Sequence, residues 1–279
     1  MSKFKRYLYT FLLIFTCVIA SPFIFKQIWE TSKDKIPTPK SSSEISLPAQ
    51  TTTTTTDTGT TATSDESAET TTTTVTEVTE KPLEFQSSDA SYFDDALFIG
   101  DSRTVGISEY GNLQNADYFC NTGMSVYNLF SANEKVKSLG ESTGLENLLD
   151  TKQYGKVYLM LGINELGYDF DSTIAKYTET VNFIREKQPD ALLYIQANLH
   201  VTKSRSDSDA IYSNANIDRF NQSIAALADG KDIFYIDINE VFDDGNGNLA
   251  AEYTSDNAHV YAKYYVNWSD WLCTKTVVK

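Results

Sequence analysis

Four short stretches of the 279-residue chain hold residue types that can do chemistry together: Gly100-Asp101-Ser102, Asn121-Thr122-Gly123, Gly162-Ile163-Asn164-Glu165 and Asp256-Asn257-Ala258-His259. A serine hydroxyl is a poor nucleophile until a neighbouring imidazole accepts its proton, and that imidazole needs a partner to fix its tautomer and stabilise its charged form. His259 lies three residues after Asp256, so the two fit within one turn, a spacing that suits a base and its orienting carboxylate. Attack on an ester carbonyl creates an oxyanion. Gly123 permits close backbone approach to it, and Asn164 brings a neutral donor. Taken singly, each residue has a plainer use: Ser102 as a helix cap, Gly123 as a turn residue, Asn164 as a loop residue bonding its own backbone, Asp256 as a turn former. Their joint occurrence carries the chemical reading. Asp101 is read as a carboxylate bonding nearby backbone.

Such residues need a frame. Ala96, Leu97, Phe98 and Ile99 run straight into Gly100-Asp101-Ser102. An apolar run closed by a small-residue turn and followed by a helix puts Ser102 at the carboxyl end of a buried strand, where open parallel sheets place their ligands. Further strand candidates are residues 116–120, 156–161, 191–198 and 233–238. The other three stretches follow the second, third and fifth of these, so a parallel sheet gathers all four at one edge. Ile174, Tyr177, Val181 and Ile184 share one helical face, with Asp171 as N-cap, and Tyr264, Tyr265, Trp268, Trp271 and Leu272 repeat that spacing as a core stripe. Strands alternating with helices predict an α/β domain with a five-stranded parallel sheet covered on both faces.

In this order and at these separations, the four blocks resemble those of the SGNH or GDSL family of serine hydrolases, over residues 94–272. The resemblance implies a three-layer α/β/α sandwich of flavodoxin-like type, esterase activity through an acyl-enzyme, and no metal or organic cofactor. Carried over residue by residue, Ser102 matches the nucleophile, and Asp256 and His259 match the other triad members. The backbone N–H groups of Ser102 and Gly123 and the side-chain amide of Asn164 match the oxyanion hole. Arg103 stands where the family often has Leu, which places a positive charge beside the nucleophile and makes Arg103 a candidate substrate contact.

Two other motifs compete. Gly140-Glu141-Ser142-Thr143-Gly144 matches G-x-S-x-G, but that elbow requires a buried strand just before it, and residues 133–139, NEKVKSL, read as helix or loop. Asp244 to Asn248, DGNGN, reads as a turn, because Leu249 and Ser255 stand where a calcium loop requires Gly and Glu. His200 ends the fourth strand and is a candidate substrate contact. Residues 201–214 form a loop longer than the usual strand-to-helix connection, and its Lys203, Arg205 and Tyr212 are candidates to touch sugar hydroxyls or an acidic group.

The net charge of −15 and the absence of a basic cluster beyond the first six residues argue against a nucleic-acid partner. Cys120 and Cys273 read as buried thiols, and no Cys/His cluster has metal-ligand spacing. Basic residues 3, 5 and 6 precede 19 uncharged residues from Tyr7 to Phe25, enough to cross a hydrocarbon core of roughly 30 Å, with the following domain outside. Signal cleavage after Ala20 is the alternative and yields a secreted protein. Between Thr51 and Glu80, 17 of 30 residues are Thr, too little apolar surface to offset the entropy of ordering. The organisation expected is therefore an anchor or signal at 1–30, a disordered linker at 31–85 and a hydrolase domain at 86–279. An exported domain on a stalk meets wall glycan or other polysaccharide, so O-acetylated carbohydrate is the expected substrate class. A lipid or aryl ester, acyl transfer by the same triad, and non-catalytic glycan binding are the alternatives.

Overall fold

The computed structural model describes residues 83–278. The expected membrane segment at residues 7–25 and nearly all of the expected linker lie outside the described residues, among which no helix is long and apolar enough to cross a membrane.

The domain runs β1 (Ala96–Gly100), α1 (Ser102–Tyr110), β2 (Asp117–Cys120), β3 (Asn133–Val136), β4 (Glu141–Gly144), α2 (Leu145–Thr151), β5 (Lys156–Met160), α3 (Phe170–Lys187), β6 (Leu192–Gln196), α4 (Lys203–Ser208), α5 (Asn214–Ala225), β7 (Ile233–Ile236), α6 (Asn239–Phe242) and α7 (Tyr265–Leu272). Five strands form one parallel sheet in the order β2-β1-β5-β6-β7. All five strand expectations hold, β1 over the expected residues and the other four with ends trimmed. The sheet grows one way from β1 to β2 and the other way from β5 onward, so its crevice opens between the carboxyl ends of β1 and β5, the switch point of doubly wound sheets.

Both faces of the sheet are covered, so the central strands β1, β5 and β6 are nearly continuous apolar runs, whereas the edge strands β2 and β7 alternate between buried and half-buried residues. On one face Tyr118, Phe98, Tyr158, Tyr194 and Phe234 stand in register, one per strand, with neighbouring ring centroids 5.1, 4.5, 4.5 and 5.7 Å apart. They pack under Ile107 of α1 and Tyr265, Trp268 and Leu272 of α7. On the other face Leu97, Ile99, Val157, Leu159, Leu193 and Ile195 meet Leu148 of α2, Tyr177, Val181 and Ile184 of α3, and Phe220 and Ile224 of α5.

Three local expectations change. Residues 133–136 are a strand, paired antiparallel with β4 in an exposed hairpin. The N-cap of α3 is Asp169, whose side chain accepts from the Ser172 N–H, rather than Asp171, which lies in the first turn. The long loop after β6 contains α4, capped by Thr202. β6 stops at Gln196 because asparagines replace the ladder beyond it: Asn221, Asn239 and Asn214 accept from the N–H groups of Asn198, His200 and Val201. The chain can therefore leave the sheet with its buried donors satisfied.

Candidate active site

Ser102 is the first residue of α1, directly after β1, at the positive end of the helix dipole. Its Oγ lies 2.8 Å from His259 Nε2, and His259 Nδ1 lies 2.7 Å from Asp256 Oδ2. The other carboxylate oxygen of Asp256 accepts the N–H groups of Ala258 at 3.0 Å and His259 at 2.8 Å. Burial alone raises the Asp256 pKa, but the two N–H bonds and the imidazole outweigh it and bring it down to about 2. An ionised Asp256 holds the imidazole proton on Nδ1, leaving Nε2 to accept the serine proton.

The connecting Asn257 has φ of +70°, the one non-glycine residue in left-handed conformation among the described residues. It is clamped from outside by the chain after β6: Thr202 N–H donates to the Asn257 carbonyl at 3.0 Å, and Thr202 Oγ1 donates to Asn257 Oδ1 at 2.9 Å.

Ser102 and His259 open onto a cleft of about 350 Å³ whose walls include Gly123, Asn164, Leu199, Val201, Arg205 and Tyr212. Gly123 has φ of +86°, a conformation that costs glycine little. Asn164 Nδ2 donates to the Met124 carbonyl at 2.9 Å, which orients the amide. Gly162, ahead of it, has φ of +132°, and a Cβ there would sit 2.3 Å from Phe220 and 2.7 Å from Asn198 Nδ2, so only glycine lets the chain turn into this block.

The expected substrate contacts divide. Arg205 lines the cleft, with its guanidinium over the Tyr212 ring at 5.1 Å. Arg103 borders the cleft floor but is 2 % exposed, and its guanidinium is held by both carboxylate oxygens of Asp101 and by Asn198 Oδ1 at 2.9 Å. It therefore neutralises Asp101 instead of offering a free charge to substrate. His200 is buried outside the cleft lining, its Nε2 2.8 Å from Asp218 and its Nδ1 3.8 Å from Asp243. Lys203 is also outside the lining, 70 % exposed and paired with Asp207. Ser142 lies exposed on β4, with no buried strand before it to form an elbow. Residues 244–248 close as a turn, Asp244 N–H donating to the Asn248 carbonyl. Among the described residues no group of three or more His, Cys, Asp or Glu is arranged to hold a metal ion.

Glu165 was not anticipated. It is buried, and its Oε1 accepts the Val126 N–H at 2.6 Å. Burial, opposed by that bond, pushes its pKa up to about 7. The only sequence signal was its place directly after Asn164.

A doubly wound sheet with a serine, a histidine and an aspartate in hydrogen-bonded series at its switch point defines a serine hydrolase of the α/β class. The chain belongs to the GDSL-like lipase/acylhydrolase family, whose model matches residues 98–265, and it is an ester-hydrolysing enzyme. Among solved structures, a candidate platelet activating factor from Streptococcus pneumonia shares the fold, with 21 % identity and a TM-score of 0.50 over 64 % of this chain and 81 % of that one. Weaker likenesses are a GDSL-like lipase from Bacteroides thetaiotaomicron (15 % identity, TM-score 0.47, covering 62 % and 82 %) and an acetylxylan esterase from Geobacillus stearothermophilus (14 %, 0.43, covering 62 % and 90 %). No curated protein matches the sequence.

Proposed function

We propose that Ser102 is the nucleophile, His259 the general base and then acid, and Asp256 the residue that orients and stabilises the imidazole. The observation that carries this is the unbroken series Ser102 Oγ, His259, Asp256 at 2.8 and 2.7 Å, opening onto the cleft. Ser102 attacks the ester carbonyl as His259 takes its proton. The tetrahedral oxyanion is met by the N–H groups of Ser102 and Gly123 and the Asn164 amide. His259 then protonates the leaving alcohol, and water repeats the sequence to release the acid.

The substrate class we propose is O-acetyl groups on carbohydrate. A cleft of about 350 Å³ suits a short acyl group. Tyr127 and Tyr168, 45 % and 62 % exposed, stack at 5.0 Å on the turns that follow Gly123 and Asn164, and Tyr127 is fixed by a bond to Thr173. Rigid aromatic faces with polar edges suit a sugar ring, which is apolar on its faces and hydroxylated around its rim. The basic and apolar order of residues 3–25 supports a membrane anchor, or a signal sequence, that carries the domain at 86–279 outside on the linker of residues 31–85.

A fluorophosphonate probe with peptide mapping tests the chemistry: labelling at Ser102 is expected, and labelling at Ser142 would sink the assignment. Ser102→Ala and His259→Ala should each lower kcat for a small acetyl ester about a millionfold, and Asp256→Ala about ten-thousandfold. For the substrate class, acetate release from acetylated xylan or O-acetylated peptidoglycan is expected. Release from neither, with the small ester turned over, refutes the carbohydrate reading while leaving the triad intact.

A further inference from the structure

Glu165 lies where three motif blocks meet and reaches none of the reacting atoms. It closes the short 3-10 turn after β5, with Asn164 immediately before it. Consecutive side chains of this turn grip the neighbouring turn at alternate residues: Asn164 Nδ2 donates to the Met124 carbonyl at 2.9 Å, and Glu165 Oε1 accepts from the Val126 N–H at 2.6 Å. Inside the gripped turn Asn128 donates to the Gly123 carbonyl at 3.1 Å and accepts from the Ser125 N–H at 2.8 Å.

A side chain at Gly123 would not anchor it, since a Cβ built there would face open space with no atom within 4 Å. Core packing holds the side chains of Met124 and Val126, and these hydrogen bonds fix the three peptide planes that follow Gly123, from its own carbonyl to the Val126 N–H, against which the Thr122–Gly123 peptide carrying the donor is set. Without the Glu165 bond a buried N–H on Val126 would be orphaned, and a turn that re-pairs it must rotate.

The second carboxyl oxygen, Oε2, is buried with no hydrogen-bond partner, as are Arg103 Nη1 and the Tyr177 hydroxyl. The charged and titratable groups that act on Glu165 are Asp101 and Arg103 from the start of α1, and Tyr177 from α3 senses its charge in turn. Arg103 is already committed to Asp101, so it does not close a bidentate pair with Glu165.

We propose that Glu165 is a positioning residue of the oxyanion hole, which holds the Gly123 peptide and the Asn164 amide in mutual register through its bond to the Val126 N–H. This rests on the assignment of Gly123 and Asn164 as oxyanion donors. In its protonated form Glu165 keeps that bond through its carbonyl oxygen. Its ionised form keeps the bond too, but places a buried negative charge one residue from the donor that must meet the developing oxyanion.

The test uses the full chain with p-nitrophenyl acetate as substrate. Glu165→Gln preserves the acceptor and should keep kcat within about threefold, whereas Glu165→Ala should lower kcat about 10- to 100-fold with KM nearly unchanged, less than outright loss of an oxyanion donor. Fluorophosphonate labelling of Ser102 should slow in parallel in Glu165→Ala, since that reaction passes through the same charge. Burial holds the wild-type carboxyl protonated up to about pH 7, so wild-type kcat should decline above that pH and Glu165→Gln should not. Equal impairment of Gln and Ala, or a loss in Ala confined to KM, overturns the proposal. If Glu165→Ala does not fold, Glu165→Leu, which fills the space without an acceptor, takes its place: a kcat as high as that of Glu165→Gln overturns the proposal. Failure of the triad reading shows separately, as activity surviving in Ser102→Ala.

Discussion

Asp101 and Arg103 flank the serine with opposite charges, both buried, and the pair closes on itself through the Arg103 Nε and Nη2 atoms. The Leu that the family often has at 103 would leave Asp101 uncompensated in this setting. Arg103→Leu should therefore cost about 3 to 5 kcal/mol of stability, Arg103→Lys should restore only part because it lacks the planar fork, and Asp101→Asn with Arg103→Leu should recover much of the loss. Urea unfolding of the three variants checks this, and a fully stable Arg103→Leu would show that the pair is dispensable. At this scale Ser102, Gly123, Asn164, Asp256 and His259 were legible, because their residue types and order belong to one reaction. Arg103 and Glu165 were not. A sequence records that a side chain is charged but not which way it points, and burial turns both away from solvent.

The turn between Asp256 and His259 is an element too short to have a period, and its geometry depends on one left-handed residue and one outside clamp. Asn257→Gly keeps the conformation but loses the bond from Thr202 Oγ1. Asn257→Ala loses that bond and adds a left-handed penalty of about 1 kcal/mol or more. Expected kcat on a small acetyl ester therefore falls in the order wild type, Gly, Ala; an Ala variant as active as Gly would mean that the left-handed conformation at 257 does not limit the turn. The same clamp ties the long connection after β6 to the site, since Thr202 holds the turn from Asp256 to His259 while residues 205 and 212 line the cleft. The central strands β1, β5 and β6 were legible because burial on both faces demands nearly unbroken apolar runs, and the edge strands β2 and β7 because they keep the aromatic and β-branched residues that suit a half-buried strand. α4, KSRSDS, buries no residue and has no apolar face to read, and the β3–β4 hairpin is largely polar and exposed.

For the molecule as a whole, the row of five aromatic rings ties all sheet strands together on one face. Tyr158 is central, with rings 4.5 Å away on both sides. Tyr158→Ala should cost about 3 to 5 kcal/mol, read as a shift in the urea midpoint; a loss below about 1 kcal/mol would show that the row collapses around the gap. The row also holds residue 277, because Tyr92 and Tyr194 share a hydroxyl bond of 2.7 Å and the Val277 N–H donates to Tyr194 at 3.0 Å. Beside them Gln86 and Thr276 pair antiparallel, and Ser88 donates to the Cys273 carbonyl. The polypeptide thus enters and leaves the domain at one place, so the backbone is almost a closed loop whose starting point is arbitrary. A circular permutant, with residue 278 joined to 83 by a flexible linker and new termini opened in the exposed turn at residues 230 and 231, should fold and hydrolyse esters. In that chain Asp256 and His259 would precede Ser102, which would separate the order of the blocks, a record of descent, from their arrangement in space, on which the chemistry depends.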